Sequence, residues 1–497
     1  MDEQQEMKVK NPWHKPKIIC IACIIAVGII IMVAIAVVQH KPLQQKYKYG
    51  IVLDAGSSHT SVYIYEWPAE KENNTGMVQQ KHSCNVKGKG ISSYSSYPYE
   101  AGQSLKECMD EAKMAIPEYR HHETPVYLGA TAGMRLLKMD NDMASESVLM
   151  SVEKFLQTYP FNYQGARIIT GQEEGAFGWI TVNYLSDNFR KASGTMGALD
   201  LGGASTQITF VSGQESQSPD NSIDFRLYGN DYHLYTHSFL CYGKDQVLKL
   251  SLEQQIQTLD MTDNIVLKDP CFHPGYNVSK TFGSVFDSPC TKKVTRQQIQ
   301  NLTHLGLGNW NKCHEAVRRV LNHTYCHYST CSFNGIFQPP VEGRFGAFSA
   351  YFFVMNFLNL TNYSLDMAKT NLQHYCNTPW NKIKQQYPQV KEKYLAEYCF
   401  SATYIITLLE DGYNFTSDNW KNIEFIRKIG DSEAGWTLGY MLNLTNMIPA
   451  EAPDTPLLPY GGYVTLMLFL SVLIFVFLLL GFIFFRRPSG QPHKEII

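Results

Sequence analysis

Gly50-Ile-Val-Leu-Asp54-Ala-Gly56-Ser57-Ser58-His59-Thr60 and Gly197-Ala-Leu-Asp200-Leu-Gly202-Gly203-Ala204-Ser205-Thr206 follow one pattern, and their aspartates stand 146 residues apart. In each, an apolar strand ends in Asp, small residues follow, and Ser or Thr opens a second alternating strand (62–65 and 208–211). Glycine in such a turn lets backbone N–H groups approach an anion with no Cβ in the way. Hydroxyls add donors to phosphate oxygens. An Asp just before the turn offers a hard oxygen to Mg²⁺ or Ca²⁺, directly or through metal-bound water. One Asp-x-Gly hairpin is commonly no more than a tight turn. Two in register predict a duplicated fold that grips a polyphosphate between its halves, with a divalent cation between Asp54 and Asp200.

The sequence around the repeat predicts its setting. Residues 50–53, 61–65, 126–128 and 167–169 read as strands, the last two as buried ones, and residues 144–156 and 348–358 carry apolar side chains at helical spacing. Alternating strands and helices imply an α/β fold with sheets covered on both faces. Gly129-Ala-Thr131-Ala132-Gly133-Met-Arg135 follows a strand and starts a helix; it is either a close-packed joint or an anion site at Thr131. Gly171-Gln-Glu173-Glu174-Gly175 sets two carboxylates beside glycines. They either favour a helix N-terminus or supply a general base for water attacking phosphorus. Helical neighbours point about 100° apart, so only one can face a cleft, and spacing does not choose between them. The absence of G-x-x-x-x-G-K-[ST], G-x-S-x-G and H-E-x-x-H excludes a P-loop ATPase, a serine hydrolase of the elbow type and a zincin.

With 497 residues the chain has room for two or three domains, and a net charge of −2 argues against a nucleic-acid partner. Residues 18–38 and 463–485 are uncharged apolar runs of 21 and 23 residues, long enough to cross a bilayer. Arg486, Arg487 and Lys494 follow the second run while residues 446–462 carry no Lys or Arg, which predicts a cytoplasmic tail at 486–497. Two spans then put the N-terminus, 1–17, on the same side and residues 39–462 outside. Ten cysteines fall in that outer stretch, an even number suited to five disulfides in an oxidising compartment. Cys20 and Cys23 lie in the first span, where lipidation stays open. Sequons begin at Asn73, Asn277, Asn301, Asn322, Asn359, Asn362, Asn414 and Asn443. The stretch 241–331 reads as a disulfide-stapled insertion, and 453–462 as a stalk.

The ordered set 54–60, 129–135, 171–175, 200–206 and 436–442 resembles the conserved regions of the ecto-nucleoside triphosphate diphosphohydrolases, or ecto-apyrases, within the actin, Hsp70 and sugar-kinase superfamily. The stretches 235–241 and 443–449 are most similar to the vascular cell-surface branch of that family. The resemblance implies two lobes, 39–170 with 433–452 and 171–432, around a nucleotide cleft, flanked by transmembrane helices in the plasma membrane. It implies hydrolysis of extracellular ATP and ADP to AMP, dependence on Ca²⁺ or Mg²⁺, and homo-oligomers. Carried over by motif, it makes Glu174 the base, with Ser205 and Gln207 holding the water. Asp54 and Asp200 hold the metal through its water shell, and Ser57, Ser58, His59, Thr131, Ala132, Gly203 and Ala204 line the phosphates. Phe353 and Tyr394 sandwich the nucleobase. It also implies the pairs Cys84–Cys108, Cys241–Cys290, Cys271–Cys313, Cys326–Cys331 and Cys376–Cys399. Two rival readings are a kinase of the same superfamily, which phosphorylated acceptor would reveal, and a non-enzymatic receptor on a broken site, which the intact motif residues disfavour.

Overall fold

The computed structural model describes residues 14–39, 46–71, 77–191, 194–214, 216–259, 265–291, 301–323, 325–445, 448–451 and 458–486. Two compact units emerge, 47–450 and the chain ends, 1–46 with 451–497. In the latter, the helices His14–Gln39 and Tyr460–Arg486 are long and apolar enough to cross a membrane. They pack on each other: a Cβ on Gly28 would stand 3.2 Å from Ile474 Cγ1. Cys20 and Cys23 are free and exposed on the first.

The larger unit is built on two sheets. Strands β1 (Tyr47–Ala55), β2 (Thr60–Pro68), β3 (Gln79–Asn85), β4 (Pro125–Ala130) and β5 (Asn162–Ile168) form one, in the order β3-β2-β1-β4-β5. β6 (Gly197–Leu201), β7 (Ser205–Val211), β8 (Ser222–Leu227) and β9 (Asn230–Leu240) join the second. So do β13 (Phe345–Ser349) and β14 (Ile423–Phe425), and its order is β14-β13-β6-β7-β9-β8. Between them in the chain, β10 (Ile265–Asp269), β11 (Asn277–Thr281) and β12 (Asn301–Gly306) form a small separate sheet in the predicted insertion. The duplication therefore reaches well beyond the hairpins. β1–β2 and β6–β7 are both antiparallel, and β1 and β6 each gain a parallel neighbour, β4 and β13. Register preserves the match: Ala55 faces Thr60 as Leu201 faces Thr206.

Burial explains which strands sequence reading described well. The central strand β1 is buried along most of its length, whereas β5, expected to be buried, is an edge strand with Arg167 exposed; of residues 167–169 only Ile169 is buried. The helix expected over 348–358 starts later, at Ala350, because Phe348 and Ser349 still pair with β6. Each sheet has a core on one face. A third core, with Val52, Tyr65, Ala198 and Phe348, lies between the sheets around two helices, Gly171–Leu185 and Trp436–Thr445. These helices touch at backbone distance: a Cβ on Gly439 would lie 2.1 Å from the Phe177 carbonyl oxygen, and Gly439 N donates to Thr181 Oγ1 at 2.8 Å. The strands of the first sheet lie within 47–168 and those of the second within 197–425. All five disulfides join the expected partners.

Candidate active site

The carboxyl ends of β1, β4, β6 and β13 meet, and both Asp-containing turns sit there. The turns face each other: a Cβ on Gly203 would lie 2.6 Å from Ser57 Oγ. The first turn also rests on the start of the Ala132–Asp140 helix, with Gly133 against Ser57 Cα. Each turn is backed by a separate segment that holds its carbonyl groups. Gly202 O accepts from Lys244 N at 2.9 Å, Gly203 O from Asp245 N at 2.9 Å, and Ala204 O from Cys241 N at 2.8 Å. Ser58 O accepts from Gly90 N at 3.1 Å. In a planar trans peptide the N–H points opposite to the C=O. The N–H groups of Gly203, Ala204, Ser205 and His59 therefore point away from these backing segments, an arrangement suited to an anion. Gly243 and Gly90 are the backing contacts, and a Cβ on Gly243 would reach 2.3 Å from Ala204 N. Thr131 is buried at the helix start and its hydroxyl does not cap that helix; Ser57 is half-buried, while Ser58 and His59 are exposed and bonded to each other at 3.0 Å.

Geometry separates the two glutamates. Thr170 caps the Gly171–Leu185 helix, and Glu173 closes the box by accepting from Thr170 N. Glu173 also pairs with both terminal nitrogens of Arg167 at 2.9 Å. Burial pushes its pKa up, but the bonds from Arg167 and Thr170 outweigh this and hold it below the usual value. Glu173 thus secures the helix start. Glu174 turns inward and is buried. The helix lies very close to the second sheet because glycines face it: Gly171 stands against Ser238, and a Cβ on Gly175 would reach 2.6 Å from Thr209 Oγ1. That approach brings Glu174 over β7.

Glu174 Oε2 accepts from Gln207 Nε2 at 3.2 Å and pairs with Arg135 Nη2, which also donates to Ser205 Oγ at 3.2 Å. Gln207 Nε2 lies 2.7 Å from Ser205 Oγ and 2.8 Å from Ser238 Oγ. The two N–H groups of Gln207 can serve two of its three acceptors at once, and when these are Glu174 and Ser205, Ser205 Oγ accepts from both Gln207 and Arg135 and keeps its own proton to donate. Glu174 Oε1 carries no hydrogen bond among the described residues and remains available as an acceptor. Burial raises the Glu174 pKa and Arg135 opposes the rise, leaving it above the ordinary carboxylate value.

Asp54 and Asp200 are each pushed up to about 7, by burial first and then by the charge of Glu174; Trp436 opposes the rise at Asp54 and Ser349 at Asp200. Three acidic groups therefore face one space, and buried Asp54 Oδ1 has no hydrogen-bond partner among the described residues. Hard oxygens with uncompensated negative charge fit a divalent cation such as Ca²⁺ or Mg²⁺. Ser349 holds φ at 57° and ψ at −131°, a strained conformation for a residue with a side chain, at the position beside Asp200. It stands within one residue of the place in the second half that Thr131 occupies in the first.

Phe353 and Tyr394 are 56% and 44% exposed, so neither serves the core. One turn further along their helices, Phe357 and Tyr398 stack at 4.1 Å. Phe353 is one turn beyond Ser349 and carries the Arg427 guanidinium 5.9 Å from its ring centroid. Tyr394 lies within electrostatic reach of Lys244, whose N–H backs the second turn. Phe353 thus lies one helical turn from the strand that pairs with Leu201, and Tyr394 lies near the segment that backs the second turn. Sequence reading missed Arg135 as the partner of Glu174, together with Ser238, Ser349, Gly90 and Gly243. Arg135 was inside a quoted motif, but its partner is 39 residues away. Among the described sequons, Asn277, Asn301, Asn322, Asn359, Asn362 and Asn414 are exposed. Asn443 is half-buried in a helix with Thr445 fully buried, so a glycan there has to be attached before that helix packs; Asn73 lies outside the described residues.

Residues 40–456 match the model of the GDA1/CD39 (nucleoside phosphatase) family. The chain is 48% identical to mouse "Ectonucleoside triphosphate diphosphohydrolase 1", covering 98% of this chain and 99% of that protein. It is 46% identical to bovine "Ectonucleoside triphosphate diphosphohydrolase 8", covering 82% and 84%. A solved structure of nucleoside triphosphate hydrolases from Neospora caninum superposes with a TM-score of 0.59 at 14% identity, covering 81% of this chain and 93% of that one, which shows a common fold.

Proposed function

We propose a chemistry for this site from one premise: the chain belongs to the GDA1/CD39 nucleoside phosphatase family. It is a nucleoside triphosphate diphosphohydrolase that hydrolyses extracellular ATP and ADP to the monophosphate and phosphate, and so removes both as signals. The observation that carries our assignment of roles is the meeting of Glu174, Ser205 and Gln207 between Asp54 and Asp200 at the mouth of two facing turns.

In this reading Glu174 Oε1 takes a proton from water aimed at the terminal phosphorus, while Oε2 stays anchored to Arg135 and Gln207. Its raised pKa makes it a stronger proton acceptor than an ordinary carboxylate. Ser205, its two acceptor sites already filled, donates its remaining proton to the same water and fixes a lone pair toward phosphorus. The N–H groups of Gly203, Ala204 and His59, with the hydroxyls of Ser57, Ser58 and Thr131 and the turn residue Ala132, hold the phosphate chain in line. Asp54 and Asp200 would hold Ca²⁺ or Mg²⁺, which when bound would supply charge neutralisation to the phosphates. Phe353 and Tyr394 sandwich the base.

The apolar helices anchor the chain in a membrane. Lys/Arg asymmetry around the second supports a plasma-membrane topology with both termini cytoplasmic and the head outside. We further propose the lobes 39–170 with 433–452 and 171–432 as the bodies that close on nucleotide, and a homo-oligomer in the membrane. The direct test is free phosphate release from ATP by intact cells, with EDTA as control. Glu174→Gln should lower turnover by roughly 10²–10⁴-fold; turnover within about threefold of the parent would overturn the role of the base.

A further inference from the structure

A second set of metal-ligating side chains lies on the Trp310–Val320 helix and the π-turn Leu408–Gly412, which ends the Glu392–Thr407 helix. His314, Glu410 and Asp411 each offer one ligand atom, and these atoms lie within 4.8 Å of one another. His314 Nε2 and Asp411 Oδ2 are 3.6 Å apart, longer than a hydrogen bond. Both atoms are buried, and neither has a hydrogen-bond partner among the described residues. They face each other as a long ion pair that falls short of a hydrogen bond and leaves both only partly satisfied, and an ion between them satisfies both. On a tetrahedron around Zn²⁺, N and O ligands stand roughly 3.3–3.6 Å apart.

The surroundings hold these groups in place. The Trp310 ring stacks on His314 at 5.4 Å with a 10° interplanar angle, and the Cys271–Cys313 disulfide fixes the adjoining backbone. Lys369 Nζ contacts Glu410 Oε1 at 2.7 Å and Arg318 Nε contacts Asp411 Oδ1 at 3.5 Å, which orients each carboxylate through one oxygen and spares the other. The π-turn inserts a residue into the helical repeat, a distortion often found at functional sites.

We propose that His314, Glu410 and Asp411 form a second divalent-metal site, one for a transition metal of the Zn²⁺ type. An imidazole with two carboxylates suits such ions, in contrast to the oxygen-only set of Asp54 and Asp200. The ion sits two residues before Tyr413, whose hydroxyl is 3.3 Å from Thr206 Oγ1 on the second phosphate hairpin. Occupancy therefore ties the insertion to the hairpin and raises the melting temperature.

The test is zinc retention by the full-length protein in detergent micelles, measured by equilibrium dialysis under saturating Ca²⁺, which fills the hard-oxygen site. The parent should retain one equivalent, with affinity lowered on the order of tenfold or more in His314→Gln and Asp411→Asn, while Ca²⁺-supported ATP hydrolysis without zinc stays intact. If either variant fails to fold, Glu410→Gln replaces it, with the same loss expected. A parent that retains no zinc, or variants that retain it undiminished, would overturn the assignment.

Discussion

Asp200→Asn should stabilise the metal-free protein while removing its use for metal. In the folded chain Asp200 is held near 7 against an ordinary value of 3.8, by burial and then by Glu174. The folded state therefore keeps a proton through this window that the unfolded chain has released. Stability falls as pH rises from about 4 to 7, and the loss is complete above that. About three units at 1.36 kcal/mol each set a ceiling of roughly 4 kcal/mol. Glu174 also repels Asp54, and Ser349 loses its carboxylate partner, so about 1–3 kcal/mol is the expected gain at pH 8. In EDTA the variant should melt higher than the parent at pH 8 by a few degrees, and the gap should shrink to roughly a third at pH 5 and close as pH falls below about 4. Ca²⁺ should reverse the order at pH 8, because only the parent gains binding free energy. Melting curves across pH 5–8 with and without chelator decide it. A difference that is the same at pH 5 and pH 8, or a parent that melts higher in EDTA at pH 8, refutes the claim that three carboxylates share one space.

Three further outcomes follow from other contacts. Gly243→Ala places a Cβ 2.3 Å from Ala204 N, so the second turn must move; kcat/KM should drop by about a hundredfold while secondary structure by circular dichroism is retained. Phe353→Ala should raise KM for ATP with little change in kcat, since stacking on a base is worth about 1–3 kcal/mol; steady-state kinetics separate the two. His237 is depressed by burial to about 4, so it stays neutral in the fold while the unfolded chain protonates below 6.5. The parent should lose up to about 3 kcal/mol of stability as pH falls from 6.5 to 4, and His237→Phe should lack that part of the slope in urea unfolding.

The duplicated hairpin was legible because it is local: Asp, glycines and hydroxyls within seven residues specify one turn each, and the turn chemistry is written in residue types. Its extension to whole sheets was not, since β4 and β13 share no motif and match only by their places beside β1 and β6. The choice between Glu173 and Glu174 needed Arg167 and Arg135, one on an edge strand and the other on a different helix. Gly90 and Gly243 look like ordinary loop glycines until another segment's backbone is found against them. Phe348 and Ser349 read as helical because apolar spacing cannot register a strand that ends inside an apolar run; pairing with Asp200 and Leu201 decides their state.

The Trp436–Thr445 helix has one more consequence, for biosynthesis. Trp436 occupies the space beside Gly129, Met441 that beside Gly50, and the Tyr65 hydroxyl meets Thr437 across 372 residues of chain. Strands made early on the ribosome thus wait for a segment made near the end of the head, on the order of half a minute later at about 5–20 residues per second. During that interval the inner face of the first sheet is bare. The nascent chain is then most exposed to misassembly, and chaperones have their longest opportunity to bind it.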